Sequence, residues 1–338
     1  MRKKRKIFEV LVFNARAASG KSECLTAINK MSADLREKFL HIGKEVVVLD
    51  DFIYVDFMRA VDEGLEKIGA APIFFPSPNR PFSHPEISWK LLILFLNEDY
   101  KQVKSRRQVR VRNATEEMMR RFDRAAKQLG ALPFFFSSGN KTIYCRPTHR
   151  SLCDFLEKKA RHLIEYRNLQ IPKNIKDTTI LIEFARGGEY NASMPLPYAY
   201  ADSYSVIDPE ILEQAAFLYL KVLPEQAIMK NFERFDPKDP SGILGHCVPL
   251  EVMYKNYGSD DFEYLLQKSG VDGLIEVVTC DGEPQYVPAA ILDNVKDLTT
   301  FVRKCKNVPW EKWPARKRQA LLVALKTTCE KLWALYPK

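Results

Sequence analysis

The sequence predicts an α/β fold with a parallel sheet, helices on both faces and a helix-rich insertion. Three observations predict it. The run Ile7 to Phe13 (IFEVLVF) is β-branched and apolar, and it leads through a short loop into a helical pattern over residues 23–43. A second strand over Glu45 to Leu49, followed by helix through Met58 to Ile68, completes a βαβ opening, whose right-handed crossover makes the strands parallel. After the insertion, the runs Thr178 to Glu183 (TTILIE), Ala216 to Leu220 (AFLYL) and Leu274 to Val278 resume the buried-strand pattern.

The insertion opens with Pro76 to Pro85, crowded with Pro, Ser and Asn, and continues with helical patterns near residues 86–100, 115–129 and 152–167. Gly139-Asn140 between two aromatic-rich runs predicts a small hairpin. Later, Pro224 starts a helix to about Phe232, Leu274 to Val278 leads through Asp281-Gly282 to Val287, and helices follow from Leu298 and Pro314. In the last of these, Leu321, Leu322, Leu325, Cys329, Leu332 and Trp333 share a face that reads as core. No repeat with a period of twenty to fifty residues is evident. The organisation expected is a core, residues 1–71 and 176–338, with a lid near 234–247, interrupted by a substrate-covering insertion over 72–175.

Composition sets the class. Of 338 residues, 46% are hydrophobic and 28% charged, which fits an ordered chain with a large core. No window reaches eighteen apolar residues, so no membrane span is expected; Glu9 and Asn14 break the first apolar run, so no signal peptide is expected either. Seven scattered cysteines suit reduced thiols, hence a cytoplasmic protein. The net charge of +9 is concentrated between Lys101 and Lys127, where ten Lys or Arg meet three acids. Such a segment can contact nucleic acid, but a solvated basic face is the commoner outcome and the one favoured.

The segment that carries chemistry is Ala15, Arg16, Ala17, Ala18, Ser19, Gly20, Lys21 and Ser22, a phosphate-loop pattern with Ala15 at the first glycine position. Gly20 lets the backbone approach phosphate, successive amides converge on anionic oxygens, Lys21 supplies a point charge and Ser22 a ligand for Mg²⁺. A strand before and a helix after make the required context. Asp50 and Asp51 end the second strand, where α/β proteins bind ligands: Asp51 can accept a proton from an acceptor hydroxyl, while Asp50 can hold a metal-bound water or cap the next helix. Which of the two serves the acceptor stays open. Glu183, at a buried strand end, needs a cation, either Mg²⁺ or Arg186. Arg234 follows the helix from Pro224 and can stabilise charge on a transferred phosphoryl group, with Lys230 and Lys238 as weaker candidates; His246 and Cys247 either line the site or begin the next helix. Cys145, His149 and Cys153 recur every four residues, but Pro147 interrupts them and no fourth ligand is indicated, so zinc is not favoured. Arg146 and Arg150 are anion contacts at best, with surface charge the favoured reading.

Together the loop, the Asp50-Asp51-Phe52 strand end, the Ile180 to Glu183 strand with Arg186, and the run LYLKVLPEQAIMKNFERFD resemble the P-loop kinases of the nucleoside and nucleotide kinase group. The resemblance covers about two-thirds of the chain, not the insertion. It implies a parallel sheet of about five strands, ATP and Mg²⁺ as cofactors, a substrate carboxylate after the second strand and an arginine-bearing lid. The chain departs from that group at Ala15, at Glu183 where Asp is usual, and in having only Glu183 and Arg186 of its Glu-Arg-Ser signature. The function expected is Mg²⁺-dependent transfer of the ATP γ-phosphoryl group to a small, nucleoside-like acceptor, with Lys21, Asp51, Arg186 and Arg234 catalytic and Ser22, Glu183 and Asp50 about the metal. Two alternatives stand beside it: a P-loop ATPase acting on nucleic acid, and a non-catalytic nucleotide-binding module that recruits a partner.

Overall fold

The computed structural model describes residues 6–137, 141–234, 247–279 and 282–337. The chain divides into two compact units, one running to Val48 and again from Asn174, the other Leu49–Lys173. In chain order the elements are β1 (Val10–Ala15), α1 (Lys21–Lys30), α2 (Ala33–Leu40) and β2 (Glu45–Asp50). Then come α3 (Phe52–Lys67), α4 (Pro85–Ser105), α5 (Ala114–Gln128) and α6 (Arg146–Leu169). The chain continues with β3 (Thr178–Phe184), α7 (Tyr200–Tyr204), α8 (Pro209–Leu212), β4 (Ala215–Lys221), α9 (Pro224–Glu233), α10 (Leu250–Asn256) and α11 (Phe262–Lys268). It closes with β5 (Leu274–Val278), β6 (Pro284–Asp293), α12 (Val302–Cys305) and α13 (Ala315–Leu335).

The fold is α/β, built on a six-stranded, mostly parallel sheet in the order β2-β3-β1-β4-β6-β5. β1 pairs in parallel with β3 and β4, β4 in parallel with β6, and β5 runs antiparallel to β6. Every residue of β1 and β3 is buried, which is why their sequences are continuous apolar runs instead of alternating ones. One face of the central strands, through Leu11, Phe13, Leu181, Ala216 and Leu218, packs on α1 and α13. The opposite face packs Phe184, Phe217 and Tyr219 on aromatic rings of α7 and α11. The stripe on α13 joins the first of these cores.

Three local departures have physical causes. The helical pattern of 23–43 breaks at Met31, whose ψ of 147° is extended, because the Ser32 hydroxyl caps a new helix by accepting from Leu35 N. The final strand is two strands, with Pro284 and Pro288 hiding β6 from a reading by propensity. The hairpin near Gly139-Asn140 shows as a bridge between Phe136 and Thr142, its turn residues lying outside the described residues. No helix among the described residues is long and apolar enough to cross a membrane.

The second unit consists of four helices, with α3 and α5 each packed on α6. Composition places the first change of character at residue 72, whereas the contacts place it at Leu49, because α3 packs on α6. Here a repeat emerges. MRAVDEGLEKIGAAPIFF at 58–75 matches MRRFDRAAKQLGALPFFF at 119–136 with a constant offset of 61 residues, identical at Met, Arg, Asp, Gly, Ala, Pro and two Phe positions. The structure explains the shared residues. Asp62 accepts from the amides of Ile73, Phe74 and Phe75 at 2.6, 3.1 and 2.7 Å, and Asp123 accepts from Phe134, Phe135 and Phe136 at 2.6, 3.1 and 2.8 Å. Arg59 lies over the Phe75 ring at 4.6 Å, and Arg120 over Phe136 at 4.5 Å.

The basic segment 101–127 is only partly a surface. Arg121 is buried, donating to Tyr54 Oη at 2.7 Å and Asp99 Oδ1 at 2.9 Å, while Arg124 pairs with Glu117 at 3.2 Å. Arg106, Arg107, Arg110 and Arg112 are exposed between α4 and α5.

Candidate phosphate-binding site

β1 delivers the chain at Ala15 into a turn in which Ser19 N donates to Arg16 O at 3.3 Å and Ala18 takes a φ of 62°. Gly20 follows at φ 103°, a conformation that side chains disfavour, and α1 begins at Lys21. Glycine is required at residue 20 for a second reason. A Cβ there would stand 2.2 Å from Thr299 Oγ1 and 3.1 Å from Asn294 Nδ2. That close approach is what fixes the loop: Asn294 Nδ2 donates to Ser19 O at 2.8 Å and to Thr299 Oγ1 at 3.0 Å, and its Oδ1 accepts from Leu298 N at 2.6 Å. Among the described residues no side chain caps the N-terminus of α1, so its first-turn amides and the positive end of the helix dipole act together there.

Lys21 and Glu183 meet at this helix start. Lys21 Nζ lies 3.3 Å from Glu183 Oε1, with the side chains only 13% and 7% exposed. Their meeting follows from register: Glu183 pairs with Phe13 across β3 and β1, two residues before the strand yields to the loop. Ser22 stands half-buried on the same first turn. Around them Glu23 accepts from Arg303 Nε at 2.5 Å, and the largely buried Lys230 pairs with Asp297 at 2.7 Å.

Arg16 is used differently from the rest of the loop. Its guanidinium bonds Asp260 Oδ2 at 2.7 Å, Gly258 O at 2.7 Å and Tyr257 O at 3.1 Å, so it holds the turn after α10 against the loop. Burial works against the Arg16 charge, but Asp260 and Tyr219 override it and hold the group charged. Tyr219 donates to Asp260 at 2.6 Å, and Tyr200 Oη donates to Ala15 O at 3.0 Å. Beside them Asp261 accepts from Tyr200 N and Ala201 N at 2.8 and 3.0 Å; burial pushes its carboxyl up to about 6 against those bonds.

Arg186 is fully buried, its Nε donating to Ser203 Oγ at 2.8 Å and its Nη1 to Ala185 O at 2.7 Å, over the Phe184 ring. Those contacts organise the segment after β3. Arg234 caps α9 by position and donates to Asn231 Oδ1 at 3.2 Å; Asn231 in turn bonds both N and O of Val248. Burial lowers the Arg234 pKa, while nearby Glu23 works the other way. Of the expected lid, residues 235–246, with Lys238 and His246, lie outside the described residues, whereas Cys247 is described and Asn231 Nδ2 donates to its sulfur at 3.3 Å.

Asp50 and Asp51 fall in the second unit. Asp50 Oδ1 accepts from Phe52 N at 2.9 Å, so Asp50 caps α3 through its side chain. Asp51, also buried, occupies the N-cap position without a side-chain cap, and its carbonyl accepts from Tyr54 N and Val55 N. The residues that sequence reasoning missed are Asn294, Thr299, Arg303, Asp260 and Asp261. A loop's anchors hundreds of positions away leave no local pattern.

The sequence matches no protein-family model, and no curated protein matches it. Among solved structures it aligns with a chain from the PezAT chromosomal toxin-antitoxin system of Streptococcus pneumoniae, at 12% identity, over 98% of this chain and 89% of that one, with a TM-score of 0.26. A superposition that loose does not establish a shared fold.

Proposed function

We propose that this chain is a phosphotransferase that binds Mg·ATP at the start of α1 and moves the γ-phosphoryl group to a small, nucleoside-like hydroxyl or phosphate acceptor. One observation carries the reading: an uncapped helix start, behind a glycine locked at φ 103°, with Lys21 held 3.3 Å from the buried Glu183. Anions bind such helix starts because unpaired amides and the dipole act together. The strand order adds support, since β1 leads on to β2 on one side of the sheet and its neighbour β4 leads on to β5 and β6 on the other, the kind of switch point at which open α/β sheets bind ligands.

In this reading the amides of the loop and Lys21 hold the phosphates, and Ser22 and Glu183 support the metal. Mg²⁺ would supply neutralisation of the charge on the phosphate oxygens. Asp51, directly after β2, is the residue proposed to orient the acceptor and take its proton, while Asp50, already committed to a helix cap, is left a lesser part. Arg234 is proposed to stabilise charge on the transferred group. Arg186, buried and bonded to Ser203 and Ala185, is proposed to act by positioning the end of β3.

Calorimetric titration with Mg·ATP tests the reading. Lys21→Ala is expected to weaken binding and turnover by about 10²-fold or more, through loss of the point charge at the phosphates. That variant also removes the Lys21 ammonium from beside the buried Glu183 carboxylate, so it loses stability. Lys21→Ala with Glu183→Gln should recover the stability and not the binding. Equal affinity in the intact chain and both variants overturns the proposal, as does absence of binding by the intact chain.

A further inference from the structure

The second unit carries a cluster that the phosphate site does not use. His149 and Cys153 lie one turn apart on α6, and Glu116 lies in the first turn of α5. His149 Nε2 stands 3.5 Å from Cys153 Sγ and 3.8 Å from Glu116 Oε1, and all three donor atoms lie within 4.8 Å of one another. A tetrahedral ion with bonds of about 2.0–2.1 Å to nitrogen or oxygen and about 2.3 Å to sulfur needs donors about 3.3–3.6 Å apart. The side chains therefore already stand close to the edges of such a tetrahedron. His149 is 8% exposed, and its other nitrogen, Nδ1, has no hydrogen-bond partner among the described residues, so the polar contacts of the ring run toward Cys153 and Glu116.

The internal repeat supplies an independent comparison. At the constant offset of 61, Glu116, His149 and Cys153 correspond to Val55, Ser88 and Leu92. The first copy thus has the same helix–loop–helix order and the same carboxylate clamp with none of the three groups. In the second copy a carboxylate, an imidazole and a thiol from two different helices stand together.

We propose that the second unit binds a divalent transition-metal ion, zinc by its donor set, through the Glu116 carboxylate, His149 Nε2 and the Cys153 thiolate, with a fourth position left for water. The thiol proton leaves to solvent as the metal–sulfur bond forms. Cys145, the residue that sequence spacing grouped with His149 and Cys153, is exposed and its sulfur contacts Thr148 Oγ1 at 3.1 Å; Glu116 takes its place. Pro147 interrupts nothing, because it sits in the first turn of α6, where a proline has no amide to lose.

The test titrates the full-length chain, stripped with chelator, with Co²⁺ and then Zn²⁺, following sulfur-to-cobalt charge-transfer absorption. One equivalent of Co²⁺ should bind with that absorption, and Zn²⁺ should displace it. Cys153→Ser should abolish the band, His149→Gln and Glu116→Gln should each weaken binding at least tenfold, and Cys145→Ser should leave it intact. Since a single change in this packed region could unfold it, the second variant restores the first copy's residues together: Glu116→Val, His149→Ser and Cys153→Leu. It should remain folded, bind no metal and lose the rise in Tm that Zn²⁺ gives the intact chain. No metal uptake by the intact chain, or a band that survives Cys153→Ser, overturns the proposal.

Discussion

Asp62 lays one carboxylate across the amides of Ile73, Phe74 and Phe75, and Asp123 does the same for Phe134, Phe135 and Phe136, whereas no side chain among the described residues caps the first turn of α1. Consecutive N–H groups that converge form a small anion site wherever they occur. In the two copies of the repeat in the second unit the anion is a side chain of the same segment and the loop is closed on folding. At α1 the described neighbours instead hold the backbone of the turn: Asn294 on Ser19 O, Arg16 on the turn at 257–260, and Gly20 against Thr299. The comparison separates two uses of one backbone device, structural closure in the second unit and, at α1, the ligand binding proposed above. An internal carboxylate also bears the cost of its burial, which raises the pKa of both Asp62 and Asp123 against the pull of their amide bonds.

The largest effect that tests this contrast is expected for Gly20→Ala. The new Cβ meets Thr299 Oγ1 at 2.2 Å and the backbone sits at φ 103°, so the loop must move or α1 must shift. A loss of roughly 2–4 kcal/mol of stability is expected, together with the loss of most Mg·ATP affinity. Adding Thr299→Ala removes the hydroxyl and should relieve the worst of the clash but neither the backbone strain nor the 3.0 Å approach of the remaining Cβ, leaving a deficit of about 1–2 kcal/mol. Chemical denaturation of the three proteins measures both parts. Unchanged stability in Gly20→Ala would mean that the loop is not held by Asn294 and Thr299.

Next in size are the internal carboxylates. Asp62→Ala strands the amides of Ile73, Phe74 and Phe75, at about 1 kcal/mol or more for each one left without water, so a loss of roughly 2–3 kcal/mol is expected. Asp123 is less buried than Asp62, so water replaces it more readily and Asp123→Ala should cost less. Neither substitution should change Mg·ATP affinity more than about twofold, since each closes a loop that binds nothing. If chloride or phosphate restored the Tm of Asp62→Ala, the vacated amides would be acting as an anion site, the strongest support for the comparison.

How much of this was legible in the sequence follows from the range of each interaction. The loop from Ala15 to Ser22 was readable because strand, turn and helix are contiguous, and β1, β3 and β4 because strands buried on both faces are continuous apolar runs. The repeat is hard to read in the sequence because its period of 61 residues exceeds those of common repeats, and because the identities cluster in one short stretch around the carboxylate clamp and the Arg-over-Phe contact. Asn294 lies 275 residues from the Ser19 carbonyl it holds, and Arg303 lies 280 from Glu23. Nothing in the sequence ties such pairs together until the sheet order brings the end of β6 beside the loop.

Asp261 offers the smallest and most discriminating measurement, because it too is an internal carboxylate on backbone amides and it belongs to the unit that holds the loop before α1. It accepts from Tyr200 N and Ala201 N, yet burial, with Asp260 adding to it, raises its pKa to about 6 from an ordinary 3.8. Between about pH 4 and 6 the folded state therefore binds more protons at this group than the unfolded chain does. The sign follows: its contribution to stability is fully present below about pH 4 and is lost as pH rises through 6. Relative to Asp261→Asn, which cannot titrate, the intact chain should lose about 2 kcal/mol between pH 4 and 7, a shift of one pKa unit being worth about 1.4 kcal/mol and solvent relaxation absorbing some of it. The measurement is urea unfolding of both proteins across that range, with the difference between them plotted so that the other carboxylates cancel. A flat difference would mean that the two amide bonds fully offset burial, and Asp261 would then be as well solvated by the backbone as an anion at the start of α1 is proposed to be.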